Sequence, residues 1–138
     1  MSKQAQPAAK KNILIVEDSQ DFANLLAFII QDEGVEAVTF PVDGGDILEW
    51  AKKYKPVTIL MDLALRRKNG LNYIEELKAD PETKGIPIVV ITGRDLSQKE
   101  LIDFQMRDIK YLRKGRVEIN DIKKEIRDSA GIKGPPLE

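Results

Sequence analysis

Short apolar runs alternate with stretches in which apolar residues recur every three or four positions. This alternation predicts five strand–helix pairs. The predicted strands are residues 13–16, 35–40, 57–61, 86–92 and 109–113. The predicted helices begin near Ser19, Asp43, Leu71 and Ser97, and a last helix carries Val117, Ile119, Ile122 and Ile126. Strict alternation of strand and helix predicts a parallel sheet with helices on both faces.

The polarity of the strands predicts their order in the sheet. The first, third and fourth runs are almost entirely apolar, as expected of strands that are covered on both faces. The second run contains Glu36 and Thr39 and the fifth contains Lys110 and Arg113, which favours edge positions for both. With right-handed crossovers the order becomes 2-1-3-4-5, a flavodoxin-like (βα)5 three-layer α/β sandwich.

Acidic residues follow two of the predicted central strands. Glu17 and Asp18 follow the first strand, and Asp62 follows the third. In the order 2-1-3-4-5 the sheet reverses direction between these strands, and open α/β sheets bind ligands at that point. Three neighbouring carboxylates repel one another unless a cation neutralises them, and hard oxygen ligands favour Mg²⁺ or Mn²⁺. For any one of these acids alone, a solvated loop is the alternative.

Two further polar residues are predicted at the same edge of the sheet. Thr92 ends the fourth strand and Lys114 follows the fifth. Each by itself is typical of a structural or surface position. Beside a carboxylate and a bound cation, however, a hydroxyl and an ammonium can hold phosphoryl oxygens. Together these groups supply what the formation of an aspartyl phosphate requires.

Composition restricts the chemistry further. The 138 residues include no cysteine and no histidine, which excludes thiolate chemistry and a phosphohistidine of the chain's own. A phosphoryl group would therefore have to come from another molecule. A net charge of −1 with mixed signs argues against a nucleic-acid binder. No apolar stretch is long enough to cross a membrane and no secretory signal is visible, so a cytoplasmic location is expected.

Four ordered motifs, I-L-I-V-E-D, I-L-M-D, V-V-I-T-G and Y-L-R-K, resemble those of the receiver domain of two-component response regulators, in particular the chemotaxis-type single-domain receiver. The spacings agree with that family: 44 residues from Asp18 to Asp62, 30 more to Thr92 and 22 more to Lys114. The resemblance covers residues 12–130, which we expect to form one receiver domain. Residues 1–11 are expected to be a disordered tail and residues 131–138 a second tail.

The resemblance assigns roles to particular residues. It implies that Asp62 accepts the phosphoryl group and that Thr92 and Lys114 hold phosphoryl oxygens. It implies Mg²⁺, with Mn²⁺ as a substitute, on the following ligands: Glu17, Asp18, Asp62 and the backbone carbonyl of Ala64. It also implies that Thr92 and the aromatic Tyr111 form the switch; an exposed edge-strand aromatic is the alternative for Tyr111.

The resemblance further implies partners. A histidine kinase or a histidine phosphotransfer protein would be the donor, and a downstream protein would contact the face formed by the fourth helix, fifth strand and last helix. Neither nucleic acid nor membrane is an expected partner, and a monomer or weak dimer is expected. The chain would be a signalling switch that catalyses only its own phosphorylation and dephosphorylation.

Two residues depart from the family pattern. Arg66 and Gly115 stand where the family usually has proline, four residues after the acceptor and directly after the lysine. Loop rigidity, phosphoryl lifetime and switching amplitude are therefore open. The basic run 66–68 is typical of a solvated loop. Arg94, two residues after Thr92, flanks the site and is a candidate for controlling access of the hydrolytic water.

Two other functions remain as alternatives. A pseudo-receiver would act as a phosphorylation-independent interaction scaffold despite its acids. A Mg²⁺-dependent phosphatase of small molecules that uses an aspartyl nucleophile usually has a second acid two residues later, where Ala64 stands here.

Overall fold

The structure is a computed structural model that describes residues 11–131. Its elements, in chain order, are β1 (Asn12–Val16), α1 (Gln20–Asp32), β2 (Glu36–Thr39), α2 (Ile47–Tyr54), β3 (Thr58–Met61), α3 (Gly70–Ala79), β4 (Ile88–Thr92), α4 (Gln98–Met106), β5 (Lys110–Arg113) and α5 (Ile119–Ala130). The strands form one parallel sheet of order β2-β1-β3-β4-β5, which confirms the predicted fold class and strand order. The predicted tails lie outside the described residues, except for residues 11 and 131.

Alternate residues of the central strands supply two hydrophobic cores, one on each face of the sheet. In β1, Leu14 and Val16 pack on the side of α2, α3 and α4, whereas Ile13 and Ile15 pack on the side of α1 and α5. Every residue of β3 and β4 is buried, while both edge strands include exposed positions. The two-sided burial explains why the central strands contain almost no polar residues.

Local capping sets where the helices begin. The Ser19 side chain accepts a hydrogen bond from the Phe22 N–H, as predicted for the start of α1. The predicted start of the second helix near Asp43 is wrong. The N–H groups of Gly44 and Gly45 both donate to the Pro41 carbonyl in a turn, and α2 begins only after the N-cap residue Asp46. Glycine favours such a turn over a helix because it loses the most conformational freedom in a helix.

Helices α1, α4 and α5 bury fewer apolar residues than the spacing of apolar residues in the sequence indicates. Several large apolar side chains are exposed: Leu25, Phe28, Leu101, Ile102, Met106 and Ile119. In α4, which packs beside the edge strand β5, Phe104 is the buried residue. The other apolar residues of α4, which are Leu101, Ile102 and Met106, therefore form an exposed apolar surface. Within residues 11–131, no helix combines the length and apolar character that a membrane span requires.

Candidate functional site

The register of the parallel strands places the candidate residues at one edge of the sheet. Val16 is paired with Met61, so Glu17 and Asp62 leave neighbouring strands at the same level. Lys114 follows the residue paired with Thr92, and its N–H donates to the Thr92 carbonyl at 2.9 Å. Residues far apart in the sequence thus meet where four strands, β1, β3, β4 and β5, end.

The acids form one compact cluster. Glu17, Asp18 and Asp62 each offer a carboxylate oxygen, and these oxygens lie within 4.8 Å of one another. Glu17 and Asp62 are each only 5% exposed. Several anionic oxygens at short range fit a hard divalent cation such as Mg²⁺ or Mn²⁺, which binds oxygen ligands and retains some water.

Lys114 supplies a positive charge inside this cluster. Its Nζ lies 2.7 Å from Glu17 Oε1 and 3.1 Å from Asp62 Oδ2, and 4.5 Å from the centre of the Phe22 ring. Burial acts to lower the pKa of Lys114, but the hydrogen bond to Glu17 and the charges of Asp62 and Glu17 outweigh it, so the pKa lies above its usual value. Lys114 is therefore an ammonium at neutral pH.

The environment of Glu17 differs from that of an exposed acid. Burial raises the pKa of Glu17, and the hydrogen bonds that it accepts from Lys114 and from the Ser19 N–H offset this only in part. The negative charge of Asp62 raises the pKa of Glu17 further. Any added cation at this site would relieve this repulsion.

Asp62 is held on both of its carboxylate oxygens. Oδ2 accepts from Lys114, and Oδ1 accepts from the Ala64 N–H at 3.2 Å. The start of α3 lies directly behind it: the Gly70 N–H donates to the Leu63 carbonyl at 3.0 Å, and a Cβ at Gly70 would lie 2.2 Å from the Asp62 carbonyl oxygen. Gly70 is not among the residues that the sequence predicts for the site. The available signal was a glycine at the first helical position, directly after the N-cap Asn69.

Thr92 and Tyr111 are connected through Arg94. The fully buried Thr92 accepts the Arg94 N–H on its Oγ1 at 3.3 Å, and the Tyr111 hydroxyl donates to the Arg94 carbonyl at 3.0 Å. The Arg94 guanidinium bonds Glu100 at 2.7 Å, and Glu100 also forms the capping box of α4 with Ser97. Tyr111 is thus a half-buried side chain that is bound to the loop after Thr92.

Arg66 contacts the acid cluster directly. Its N–H donates to Asp18 Oδ2 at 2.9 Å, and its Nε lies 3.3 Å from the same oxygen. The other residues of the basic run are also engaged, because Arg67 donates to the Asp43 carbonyl and Lys68 pairs with Glu76. The run is largely exposed to solvent, as predicted, but its residues also make specific polar contacts.

Gly115 adopts a backbone conformation that proline cannot. Its φ is +84°, whereas the proline ring fixes φ near about −65°. Within residues 11–131 every peptide bond is trans, including Lys114–Gly115. The loop continues as a tight turn in which the N–H groups of Arg116 and Val117 donate to the Arg113 carbonyl.

Sequence comparison identifies the family. A sequence profile described as the response regulator receiver domain matches residues 13–127, and the chain belongs to this family. It is 31% identical over 127 residues to response regulator Rcp1 of Synechocystis sp.. That alignment covers 84% of this chain and 83% of Rcp1. It is also 31% identical over 85 residues to the DNA-binding response regulator MtrA of Mycolicibacterium smegmatis. That alignment covers 62% of this chain but only 36% of MtrA.

Solved structures share this fold. Chemotaxis protein CheY4 of Vibrio cholerae superimposes with a TM-score of 0.74 at 21% identity, covering 88% of this chain and 99% of CheY4. The Mn²⁺-bound form of Rcp1 superimposes with a TM-score of 0.65 at 26% identity, covering 93% of this chain and 99% of the Rcp1 chain. The receiver-domain profile and the similarity to Rcp1 confirm the resemblance inferred from the motifs. Receiver domains are signalling switches rather than conventional enzymes, and they bind a divalent metal.

Proposed function

We propose that this chain is a phosphoacceptor switch in which Asp62 takes a phosphoryl group from a phosphohistidine. The donor would be a histidine kinase or a histidine phosphotransfer protein. The observation that carries the proposal is the contact of Lys114 Nζ with Asp62 Oδ2 inside a cluster of three acids. An Asp62 carboxylate oxygen attacks phosphorus, the P–N bond breaks, and the imidazole leaves with the electron pair and takes up a proton.

The surrounding residues have distinct roles in this proposal. The Lys114 ammonium binds one phosphoryl oxygen as negative charge develops on it, and the Thr92 hydroxyl donates a hydrogen bond to another. The cation ligands would be Glu17, Asp18, Asp62 and the Ala64 carbonyl. When bound, Mg²⁺ would neutralise charge on the phosphoryl oxygens, and Mn²⁺ would serve in its place.

The switch would pass through the loop between β4 and α4. A shift of Thr92 toward the phosphoryl group would pull on the Arg94 N–H that donates to its Oγ1. Arg94 would pass this movement on to Tyr111, whose hydroxyl donates to the Arg94 carbonyl. Because Arg94 also binds Glu100 in the first turn of α4, the same movement reaches that helix. A downstream protein would read the α4–β5–α5 face, where Ile102 and Met106 are 52% and 82% exposed.

Intact mass spectrometry tests this function. Incubation with Mg²⁺ and a small acyl phosphate is expected to add one phosphoryl group, which peptide mapping should place on the segment containing Asp62. Chelation of Mg²⁺ should prevent the gain. A folded protein that gains no phosphoryl group under saturating donor and Mg²⁺ would instead be a pseudo-receiver scaffold.

The scaffold alternative has one observation in its favour. Lys114 and Arg66 already pair with all three acids, so two side-chain charges offset part of the negative charge of the cluster before any metal ion binds. The small-molecule phosphatase has no such support, because the residue two positions after Asp62 is Ala64, which has no carboxylate.

Replacing Lys114 by methionine tests the role of the ammonium. Phosphorylation of the Lys114→Met variant is expected to be about tenfold to a hundredfold slower. This is at or below the roughly hundredfold lower limit typical for losing one preorganised donor, because the ammonium is partly exposed. The rate of mass gain measures this. Lys124→Met, which removes an exposed lysine of α5 that pairs with Asp128, is the control and should react at the wild-type rate. Equal rates for all three proteins would contradict the role of Lys114.

A further inference from the structure

Arg66 binds one acid of the cluster through two different donors. Both its backbone N–H and its side-chain Nε contact Asp18 Oδ2, at 2.9 Å and 3.3 Å. The Asp18 side chain is 13% exposed, whereas that of Arg66 is 71% exposed. The guanidinium thus approaches Asp18 from the solvent side of the cluster.

Arg66 and Arg67 also contact the segment before α2. The Arg66 guanidinium lies 4.0 Å from Asp43 Oδ2, and Arg67 donates to the Asp43 carbonyl. Of these two residues, Arg66 is the one that also reaches Asp18. On the inner side, Lys114 binds Glu17 and Asp62. Every acid of the cluster is paired with a cation that belongs to the chain.

We propose that Arg66 is a built-in competitor of the divalent cation at Asp18 and sets the affinity of the metal site. The proposal rests on the proposed function, in which Asp18 is a cation ligand. The two Arg66 donors occupy both lone pairs of Asp18 Oδ2, so a cation that binds this oxygen must displace at least one of them. A cation that binds the other oxygen must share the carboxylate with a guanidinium, and the two positive charges repel.

The backbone and side-chain contacts contribute separately. An exposed ion pair by itself is weak because water and salt screen it. The backbone N–H is fixed by the loop, and hydrogen bonds to a charged acceptor are stronger than neutral ones. A proline at residue 66 would provide neither donor. Alanine keeps the N–H and removes the guanidinium, so the two substitutions separate the contributions.

Cation binding can be measured directly on the purified chain. Titration with Mn²⁺, with free Mn²⁺ followed by electron paramagnetic resonance, gives Kd without any phosphorylation. Arg66→Ala is expected to lower Kd about threefold to tenfold, as expected for loss of a nearby like charge at a partly exposed site. Arg66→Pro is expected to lower Kd further, because the N–H is also lost.

Arg67→Ala is the matched control. It removes the same charge from the same loop, but Arg67 bonds the Asp43 carbonyl rather than an acid of the cluster. Its Kd is expected to stay within about twofold of the wild-type value, since general charge effects over longer distances are screened. A threefold to tenfold change in Arg66→Ala alone supports the competitor role.

Two results would overturn the inference, and they separate it from the proposed function. If the wild type binds Mn²⁺ but Arg66→Ala binds no more tightly, or Arg67→Ala gains as much, Arg66 is not a competitor although the cation site stands. If no variant and no wild-type protein binds Mn²⁺, the cation site of the proposed function fails together with the inference.

Discussion

Replacing Asp62 by asparagine is expected to abolish phosphorylation by a small acyl phosphate while leaving the chain folded. The amide has the same shape but lacks the anionic oxygen that must attack phosphorus. Lys114 keeps its 2.7 Å contact with Glu17, and a side-chain carbonyl oxygen can still accept from the Ala64 N–H. Intact mass measures the phosphoryl gain, and urea unfolding measures the fold.

Asp43→Asn is the matched control for this substitution. The Asp43 side chain is 69% exposed and does not belong to the acid cluster. This variant should gain one phosphoryl group as the wild type does. A folded Asp62→Asn protein that still gains a phosphoryl group would place the acceptor elsewhere and contradict the proposed role of Asp62.

The architecture could be predicted from the sequence because burial on two faces leaves a strong pattern. Strands covered on both sides contain almost no polar residues, and Glu36 and Lys110 mark the edge strands. The start of α2 could not be predicted as well. The choice between a helix and a turn at Gly44 and Gly45 depended on which carbonyl their N–H groups could reach, and Pro41 supplies it.

The sequence indicates which acids come together in the candidate site, but it does not indicate their contacts with other side chains. Strand ends are visible in the sequence, and the strand order places Glu17, Asp18 and Asp62 together. The contact of Arg66 with Asp18 depends on the path of a loop, and it spans 48 residues of sequence. A run of basic residues alone does not distinguish such a contact from a solvated loop.

The place of Gly70 also depends on tertiary structure. Helix propensity does not favour glycine over other residues at the start of α3. The close approach of α3 to the Asp62 carbonyl explains why glycine is found there, because a Cβ would meet backbone atoms. The acceptor position and the first turn of α3 are therefore packed as one unit.

Replacing Gly70 by alanine is expected to lower the free energy of unfolding by about 3 kcal/mol, the upper part of the range for overpacking a tight site. The added Cβ would lie 2.2 Å from the Asp62 carbonyl oxygen and 2.8 Å from Leu63 Cα. Both are backbone atoms, so the clash cannot be relieved by a change of rotamer. Urea unfolding of the purified protein at neutral pH measures the effect.

Gly85→Ala is the control, because a Cβ at Gly85 meets no atom within 4 Å. Its free energy of unfolding should stay within about 0.5 kcal/mol of the wild-type value. If Gly70→Ala is as stable as Gly85→Ala, the close approach of α3 to Asp62 is wrong. If it is destabilised but folded, the displaced Asp62 backbone should also slow phosphorylation, because small displacements of a reacting group reduce rates strongly. Loss of both stability and rate in one variant would show that the packing of α3 positions the acceptor.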